Sequence, residues 1–159
     1  MNIRAIRGAT CLQRDDATEM AEAVTELLLE LMSRNAVDTD DLISVLFTST
    51  PDLHSAFPAA AARGVGLADV PLICAQEIDV AGAMEKVVRV MVQVQTSKPR
   101  SEIKHVYLRG AEALRQAMEA SPPGRPASGP LRPIAAPIAP AAAPKTARIS
   151  EQRVTSSSM

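Results

Sequence analysis

The sequence predicts an α+β fold in which a mixed sheet of five strands packs on one long helix. Residues 87–96, VVRVMVQVQT, alternate apolar and polar side chains with the period of a strand that buries one face. Residues 15–35 repeat an apolar side chain every three or four positions, as an amphipathic helix does. Other apolar runs of strand length, separated by turn residues, complete the α+β pattern.

The elements can be placed in order along the chain. NIRAIRGAT at the start predicts a first strand that ends near Gly8. Asp16 can cap the long helix with Glu19 at the capping-box position. The helix has one apolar stripe, formed by Met20, Val24, Leu27, Leu28 and Leu31. The remaining predictions are a turn or short helix at 37–41, a strand at 42–50, a short Ala-rich helix within the loop 51–66, a strand at 70–76, a loop at 77–85, a long strand at 86–96, a turn at 97–100, a strand at 104–109 and a closing helix at 110–119.

Charge and proline content divide the chain near residue 118. Residues 1–118 carry 12 basic and 16 acidic side chains, whereas residues 119–159 carry five and two. Eight of the twelve prolines lie beyond Ala120, and all three aromatic residues lie before it. A Pro/Ala-rich segment buries too little area to offset its ordering entropy. We therefore predict a folded domain at 1–118 and a disordered tail at 119–159, which is dispensable or, alternatively, a tether for a partner.

Several classes of function are disfavoured by composition and motifs. The net charge of −1 gives no indication of nucleic-acid or membrane partners, and no apolar run reaches the ~18 residues of a membrane span. Cys11 and Cys74 have no metal-ligand spacing, which favours reduced thiols and a cytoplasmic setting, and no signal peptide is recognisable. The sequence has no glycine-rich phosphate loop and no G-x-S-x-G motif. His54 and His105 have no ligand pattern around them, so we expect them to be structural or exposed, and we expect no metal and no cofactor.

Arg89 raises the question of function. It lies on the polar face of the predicted strand 86–96 with Gln93 and Gln95, which cannot neutralise its permanent charge. Either that face contacts water, or the guanidinium is directed at an anion. Further arginines lie at element edges, and guanidinium groups suit a small polycarboxylate, although most surface arginines are simply solvated; they are Arg4, Arg7, Arg63 and Arg115. One helix leaves much of the second sheet face uncovered, so a closed homo-oligomer is also expected.

Five motifs together resemble the monofunctional chorismate mutases of the small trimeric AroH class. They occur in the family's order with nearly its spacing, from about residue 2 to residue 116: IRGAT at 6–10, TPDLHSAFPAAAAR at 50–63, VPLICAQEIDV at 70–80, RVMVQVQT at 89–96 and HVYLRGAEALR at 105–115. The resemblance implies conversion of chorismate to prephenate in phenylalanine and tyrosine biosynthesis. It also implies a homotrimer of pseudo-α/β-barrel shape, related to ferredoxin-like folds, with active sites between neighbouring subunits.

The resemblance implies a set of site residues as well. Arg89 would face the ether oxygen that is cleaved, Arg7 would pair with a substrate carboxylate, and Glu77 would meet the ring hydroxyl. The other implied substrate contacts are Phe57 as a wall, Arg63 at the cleft edge, Cys74 beside Glu77, Tyr107 as a carboxylate hydrogen-bond donor, and Leu114 with Arg115 in a segment that closes over the site. Ala60 stands where the family often has a lysine, which weakens carboxylate steering at the cleft mouth.

Alternatives remain at this stage. Tyr107 could equally be a core aromatic residue, and Cys74 suits a packed thiol better than a reactive one. One rival function is a non-catalytic trimeric metabolite-binding or regulatory protein on the same scaffold. Another is an enzyme of a different reaction, such as the enamine deaminases that share the trimeric architecture. The joint presence of Arg7, Glu77, Arg89 and Tyr107 favours the mutase.

Overall fold

The computed structural model describes residues 1–120, with side chains up to residue 116. Apart from its first two residues, the predicted tail at 119–159 lies outside the described residues. The elements are β1 (Asn2–Cys11), α1 (Ala17–Asn35), β2 (Leu42–Ser49), α2 (Pro58–Gly64), β3 (Leu72–Gln76), β4 (Val87–Thr96), β5 (Val106–Leu108) and α3 (Glu112–Ala120), with 3-10 turns at Thr39–Asp41 and Arg100–Glu102.

The five strands form one mixed sheet in the order β3-β2-β4-β1-β5. The central strand β4 is antiparallel to both β1 and β2, whereas β3 is parallel to β2 and β5 is parallel to β1. The predicted mixed five-stranded sheet is therefore confirmed. β1 continues three residues past Gly8 because residues 9–11 pair with 87–89 of β4. β5 is shorter than predicted, because Arg109 and Gly110 adopt positive φ angles and turn the chain towards α3.

The main core lies between one face of the sheet and α1. Val88, Val90, Val92 and Val94 of β4 are each at most 2% exposed, and the whole apolar stripe predicted for α1 is buried with them. α1 packs against β1, β5 and α2. The prediction that residues 87–96 form a strand with one buried face is thus confirmed, because the alternate valines face α1.

The start of α1 is fixed by the predicted cap in a modified form. Asp16 accepts a hydrogen bond from the Glu19 backbone N–H at 2.9 Å. The Glu19 carboxylate accepts from the backbone N–H groups of Gln13 and Arg14, so it holds the preceding loop rather than the cap residue itself. This arrangement ties the end of the β1–α1 connection to the first helical turn.

The sheet face opposite α1, here called the open face, is only partly covered. A small second core of Ala9, Val87 and Ala111 lies under α3 at one end of it. Elsewhere large apolar side chains remain exposed on this face, including Ile3 (68%), Ile73 (62%) and Met91 (38%). Within residues 1–120 there is no helix with the length and apolarity that a membrane crossing requires.

Candidate active site

The register of the sheet places four residues in one row across the open face. Thr48 of β2 pairs with Arg89 of β4, Arg89 pairs with Ala9 of β1, and Ala9 pairs with Tyr107 of β5. Paired residues in a sheet project to the same side, so all four side chains share the open face. Ala9 is the small member of the row and leaves a hollow between Arg89 and Tyr107.

This hollow is a cavity of about 160 Å³. Its walls are formed by Arg7, Arg89, Tyr107 and Leu114, which are four of the residues that the sequence predicted for the site. Arg7 enters from the next row of the sheet, where it pairs with Met91 of β4. Two guanidinium groups and a phenol therefore converge on a small, largely apolar space.

Arg89 has a carboxylate partner within the chain. Its Nε lies 3.0 Å from Oε1 of Glu77, and the same oxygen accepts a hydrogen bond from Thr48 Oγ1 at 2.7 Å. The Glu77 backbone N–H donates to the Ser49 carbonyl at 2.9 Å, which extends the β2–β3 pairing by one residue and fixes the carboxylate beside β4. The Arg89 side chain remains 45% exposed, so the ion pair leaves part of the guanidinium accessible from the cavity.

A larger cavity of about 530 Å³ adjoins Arg7 and Tyr107 on the β5 side. It contains Arg115, the remaining predicted residue of this region, together with Arg34, Lys104 and His105. Burial, followed by the charges of Arg7 and Arg115, lowers the pKa of His105 from its usual 6.5. The cavity is thus strongly cationic, as suits a ligand with carboxylate groups.

Three predicted residues lie elsewhere on the chain. Phe57 (75% exposed) and Cys74 line a separate cavity of about 450 Å³, and Arg63 is exposed in the last turn of α2. Cys74 pairs with Phe47 and packs against the main core, so it lies on the helix-covered face, whereas Glu77 lies beside Arg89 on the open face. Within one chain, Cys74 and Glu77 therefore do not form a pair around a common ligand.

The site residues form two groups, named here for their leading members. The arginine group comprises Arg7, Glu77, Arg89, Tyr107, Leu114 and Arg115. The phenylalanine group comprises Phe57, Arg63 and Cys74. Ala60, where the family often has lysine, is exposed on α2 with the phenylalanine group.

Sequence reasoning missed three residues that shape the arginine group. Thr48 holds Glu77, Ala9 provides the hollow, and His105 accepts a hydrogen bond from the backbone of Arg7. The alternation of Phe47 and Thr48 in the predicted strand was a usable signal for Thr48. The other two depend on strand register, which a single sequence does not disclose.

Within the described part of the chain, no three His, Cys, Asp or Glu side chains are grouped to hold a metal ion. The chemistry available in the cavity comes from fixed cations, a phenol and a carboxylate. Such groups can orient an anionic ligand and stabilise negative charge that develops on it.

The chain is similar to known chorismate mutases. A family model described as chorismate mutase type I matches residues 3–118. The chorismate mutase AroH of Bacillus subtilis (strain 168) is 43% identical over 116 residues, covering 72% of this chain and 91% of the relative. The chorismate mutase AroH of Thermus thermophilus is 41% identical over 120 residues, covering 75% and 98%. A solved chorismate mutase structure from Clostridium thermocellum has a TM-score of 0.68 and 47% identity, covering 69% of this chain and 98% of that chain.

The matched region contains every site residue named above, and it ends where the composition of the chain changes. Identity above 40% over nearly the whole length of both relatives confirms the resemblance to the AroH class that the five motifs indicated. This chain belongs to the chorismate mutase type I family.

Proposed function

We propose that the arginine group forms the catalytic half of a chorismate mutase site that converts chorismate to prephenate. Membership of the family gives the activity, that of an isomerase in aromatic amino acid biosynthesis. The assignment of roles to individual residues is the proposal. One observation carries it: Arg7, Arg89 and Tyr107 line a single cavity, and Glu77 lies 3.0 Å from Arg89 at its edge.

The reaction explains why these residue types suffice. The rearrangement is a unimolecular [3,3] shift that breaks a C–O bond and forms a C–C bond in one step, so it needs no nucleophile and no proton transfer. A protein can accelerate it by holding the enolpyruvyl side chain over the ring and by stabilising charge as the ether bond stretches.

Arg89 supplies the charge stabilisation in this proposal. Negative charge grows on the ether oxygen in the transition state, and a cation already fixed beside it acts as an oxyanion hole does. Loss of one such donor typically costs ~3–4 kcal/mol of transition-state stabilisation. The central strand β4, paired on both edges, gives Arg89 a rigid support.

Arg7 and Tyr107 supply the orientation. Both project from the β1–β5 side of the cavity; Arg7 lies on the strand next to that of Arg89, and Tyr107 lies one strand further. Carboxylates held by Arg7 and Tyr107 would place the ether oxygen towards Arg89 and select the compact conformer of the substrate.

Glu77 acts as an ionised acceptor for the ring hydroxyl and as the anchor of Arg89. Its Oε1 is occupied by Arg89 and Thr48, so Oε2 is the oxygen that would accept from substrate. Because the reaction transfers no proton, a general acid or base role is not required of it.

We further propose that the phenylalanine group completes the site from a neighbouring subunit of a homotrimer. Phe57, Arg63 and Cys74 do not reach the cavity of their own chain, which supports a contribution from another copy. Exposed apolar residues on the open face, such as Ile73 and Met91, support association through that face.

The test is a chorismate-disappearance assay on the full chain and three variants. Arg89→Ala should lower kcat at least ~10²-fold. Arg89→Lys should have a kcat between those of the wild type and Arg89→Ala, because lysine keeps the charge but lacks the guanidinium fork. Arg14→Ala is the matched control, since Arg14 is an 80% exposed arginine outside the site, and it should leave turnover unchanged.

Two outcomes would overturn the proposal. A purified full-length protein no faster than the buffer blank would favour a non-catalytic metabolite-binding protein. Near-normal kcat in Arg89→Ala, with the fold verified by circular dichroism, would remove the role given to Arg89.

A further inference from the structure

We propose that His105 positions Arg7 for the mutase reaction by holding the β1 backbone, and that only the neutral imidazole can do so. This inference rests on the proposed role of Arg7 as a carboxylate-binding group. His105 does not touch the substrate in this scheme; it acts through Arg7.

The contact is a single well-formed hydrogen bond. The backbone N–H of Arg7 donates to Nδ1 of His105 at 3.0 Å. The parallel β1–β5 ladder begins one residue later, where Gly8 pairs with Val106. The imidazole Nδ1 therefore takes the place of a backbone carbonyl acceptor at the end of the ladder. It holds the β1 backbone at Arg7 itself.

His105 is itself fixed to the end of α1 through Asn35. The fully buried Asn35 side chain donates to the Lys104 carbonyl at 2.8 Å and accepts from the Lys104 N–H at 2.9 Å. Its amide also donates to the Leu31 carbonyl at 2.8 Å. Both backbone polar groups of Lys104 are thus held by one side chain, so the next residue, His105, has little freedom. A continuous series of contacts runs from α1 through Asn35 and His105 to Arg7.

The hydrogen bond determines the protonation state. Nδ1 can accept only when it carries no proton, so the imidazole proton must be on Nε2. His105 lies between the 530 Å³ cavity and another of about 330 Å³, and no described carboxylate lines either of them. Among residues 1–116, the charged groups that line these spaces are cations: Arg4 and Arg7 from β1, Arg34 from α1, Arg100 from the second 3-10 turn, Lys104 before β5 and Arg115 from α3.

The direction of the pH effect follows from these groups. Burial lowers the pKa of His105 below 6.5, with further lowering by Arg7 and Arg115. The neutral form thus prevails at neutral pH, and it is lost as pH falls through the lowered pKa of the folded state. Protonation removes the acceptor and adds a cation beside two guanidiniums, which releases Arg7. Turnover should therefore decline on the acid side through loss of substrate orientation.

The first experiment measures the tautomer without reference to activity. The chain has two histidines, so nitrogen NMR of labelled full-length protein resolves both imidazoles, and His54→Asn assigns the signals. We expect an unprotonated Nδ1 and a protonated Nε2 on His105 at neutral pH, with a titration midpoint below 6.5. An unprotonated Nε2, or a midpoint above 6.5, would overturn the proposal.

The second experiment compares three substitutions at the same position. The amide oxygen of His105→Asn can occupy the place of Nδ1 and does not titrate, so kcat/KM at neutral pH should stay within about threefold of wild type. The acid decline due to His105 should disappear in this variant. His105→Gln places its oxygen nearer the position of Nε2, so it should behave like His105→Ala, and both should lose between about 10- and 100-fold in kcat/KM.

The results distinguish a failure of the role given to His105 from a failure of the proposed function. If His105→Asn keeps the wild-type acid decline, or if the Asn and Ala variants are equally active, His105 does not position Arg7. If the wild-type chain has no turnover, the proposed function falls, and the NMR measurement still decides whether the imidazole holds the β1 amide.

Discussion

Glu77 controls how much of the Arg89 charge faces the cavity. Arg89 Nε and Thr48 Oγ1 share one carboxylate oxygen, which fixes the guanidinium at its Nε edge while part of the side chain stays exposed. Because Arg89 is 45% exposed, a pair of this kind contributes little to folding, of the order of 1 kcal/mol or less. Its contribution is expected in the orientation of Arg89 and hence in catalysis.

Glu77→Gln tests this arrangement at the level of one atom. The amide keeps the volume and one acceptor oxygen but removes the negative charge beside Arg89. We expect kcat/KM to fall by about 10- to 100-fold, in line with the ~1.5–3 kcal/mol of a hydrogen bond to a charged group, while the melting temperature changes little. Steady-state kinetics and thermal denaturation check the two parts of this prediction.

A double-mutant cycle provides the control. Glu77→Gln and Arg89→Lys should be non-additive, because the two side chains are in contact. Additive losses would show that Glu77 acts on the substrate independently of Arg89.

At the scale of elements, Gly8 determines how closely α1 approaches β1. A Cβ at this position would lie 3.0 Å from Val90 Cγ1, 3.1 Å from Leu27 Cδ1 and 3.2 Å from the Val106 carbonyl oxygen. Gly8 follows Arg7 in β1, so its Cα faces α1 while the Arg7 side chain lies on the open face. Close packing of the helix on one side of β1 thus supports the position of the arginine on the other.

Gly8→Ala should therefore affect stability and activity together. Overpacking of this size costs ~1–3 kcal/mol of unfolding free energy, and a shift of β1 would misplace Arg7. We expect a lower melting temperature and a raised KM. Gly64→Ala is the matched control, because a Cβ there meets nothing within 4 Å at the end of α2, and it should be neutral or slightly stabilising. A Gly8→Ala protein with wild-type melting and KM would contradict this account of the packing.

The elements also indicate what a single sequence can reveal. The valines of β4 and the stripe and cap of α1 were predictable, because strand and helix periods are local properties of the chain. Alternation placed Arg89 on the face opposite the valines. The row of Thr48, Arg89, Ala9 and Tyr107 was not predictable from residues alone, since it depends on pairing between strands distant in sequence. For His105, the partner is a backbone N–H 98 positions away.

At the scale of the whole molecule, our proposal that the two groups of site residues meet between subunits predicts that activity requires association. Ile73 is 62% exposed on the open face at the edge strand β3. Ile73→Glu places a charge on the surface through which we propose that copies associate. We expect a smaller particle in light scattering and loss of turnover at low protein concentration.

Leu29→Glu is the matched control for this prediction. Leu29 is 53% exposed on α1, where it takes no part in the buried stripe of the helix. The same change of side chain there should leave both particle size and turnover unchanged. A wild-type protein that runs as a fully active monomer would refute the shared site.

The small side chain of Ala9 in the middle of its row has a broader consequence. Arg89 and Tyr107 are separated by two interstrand steps, which places their backbones roughly 10 Å apart. Backbone hydrogen bonding between the strands sets this distance, so a ligand that contacts both Arg89 and Tyr107 must have a matching length. Substitutions in the α1 core that leave β1 in place, unlike Gly8→Ala, can lower the melting temperature while this span keeps its length. Thermal adaptation and ligand selectivity can accordingly diverge in this enzyme.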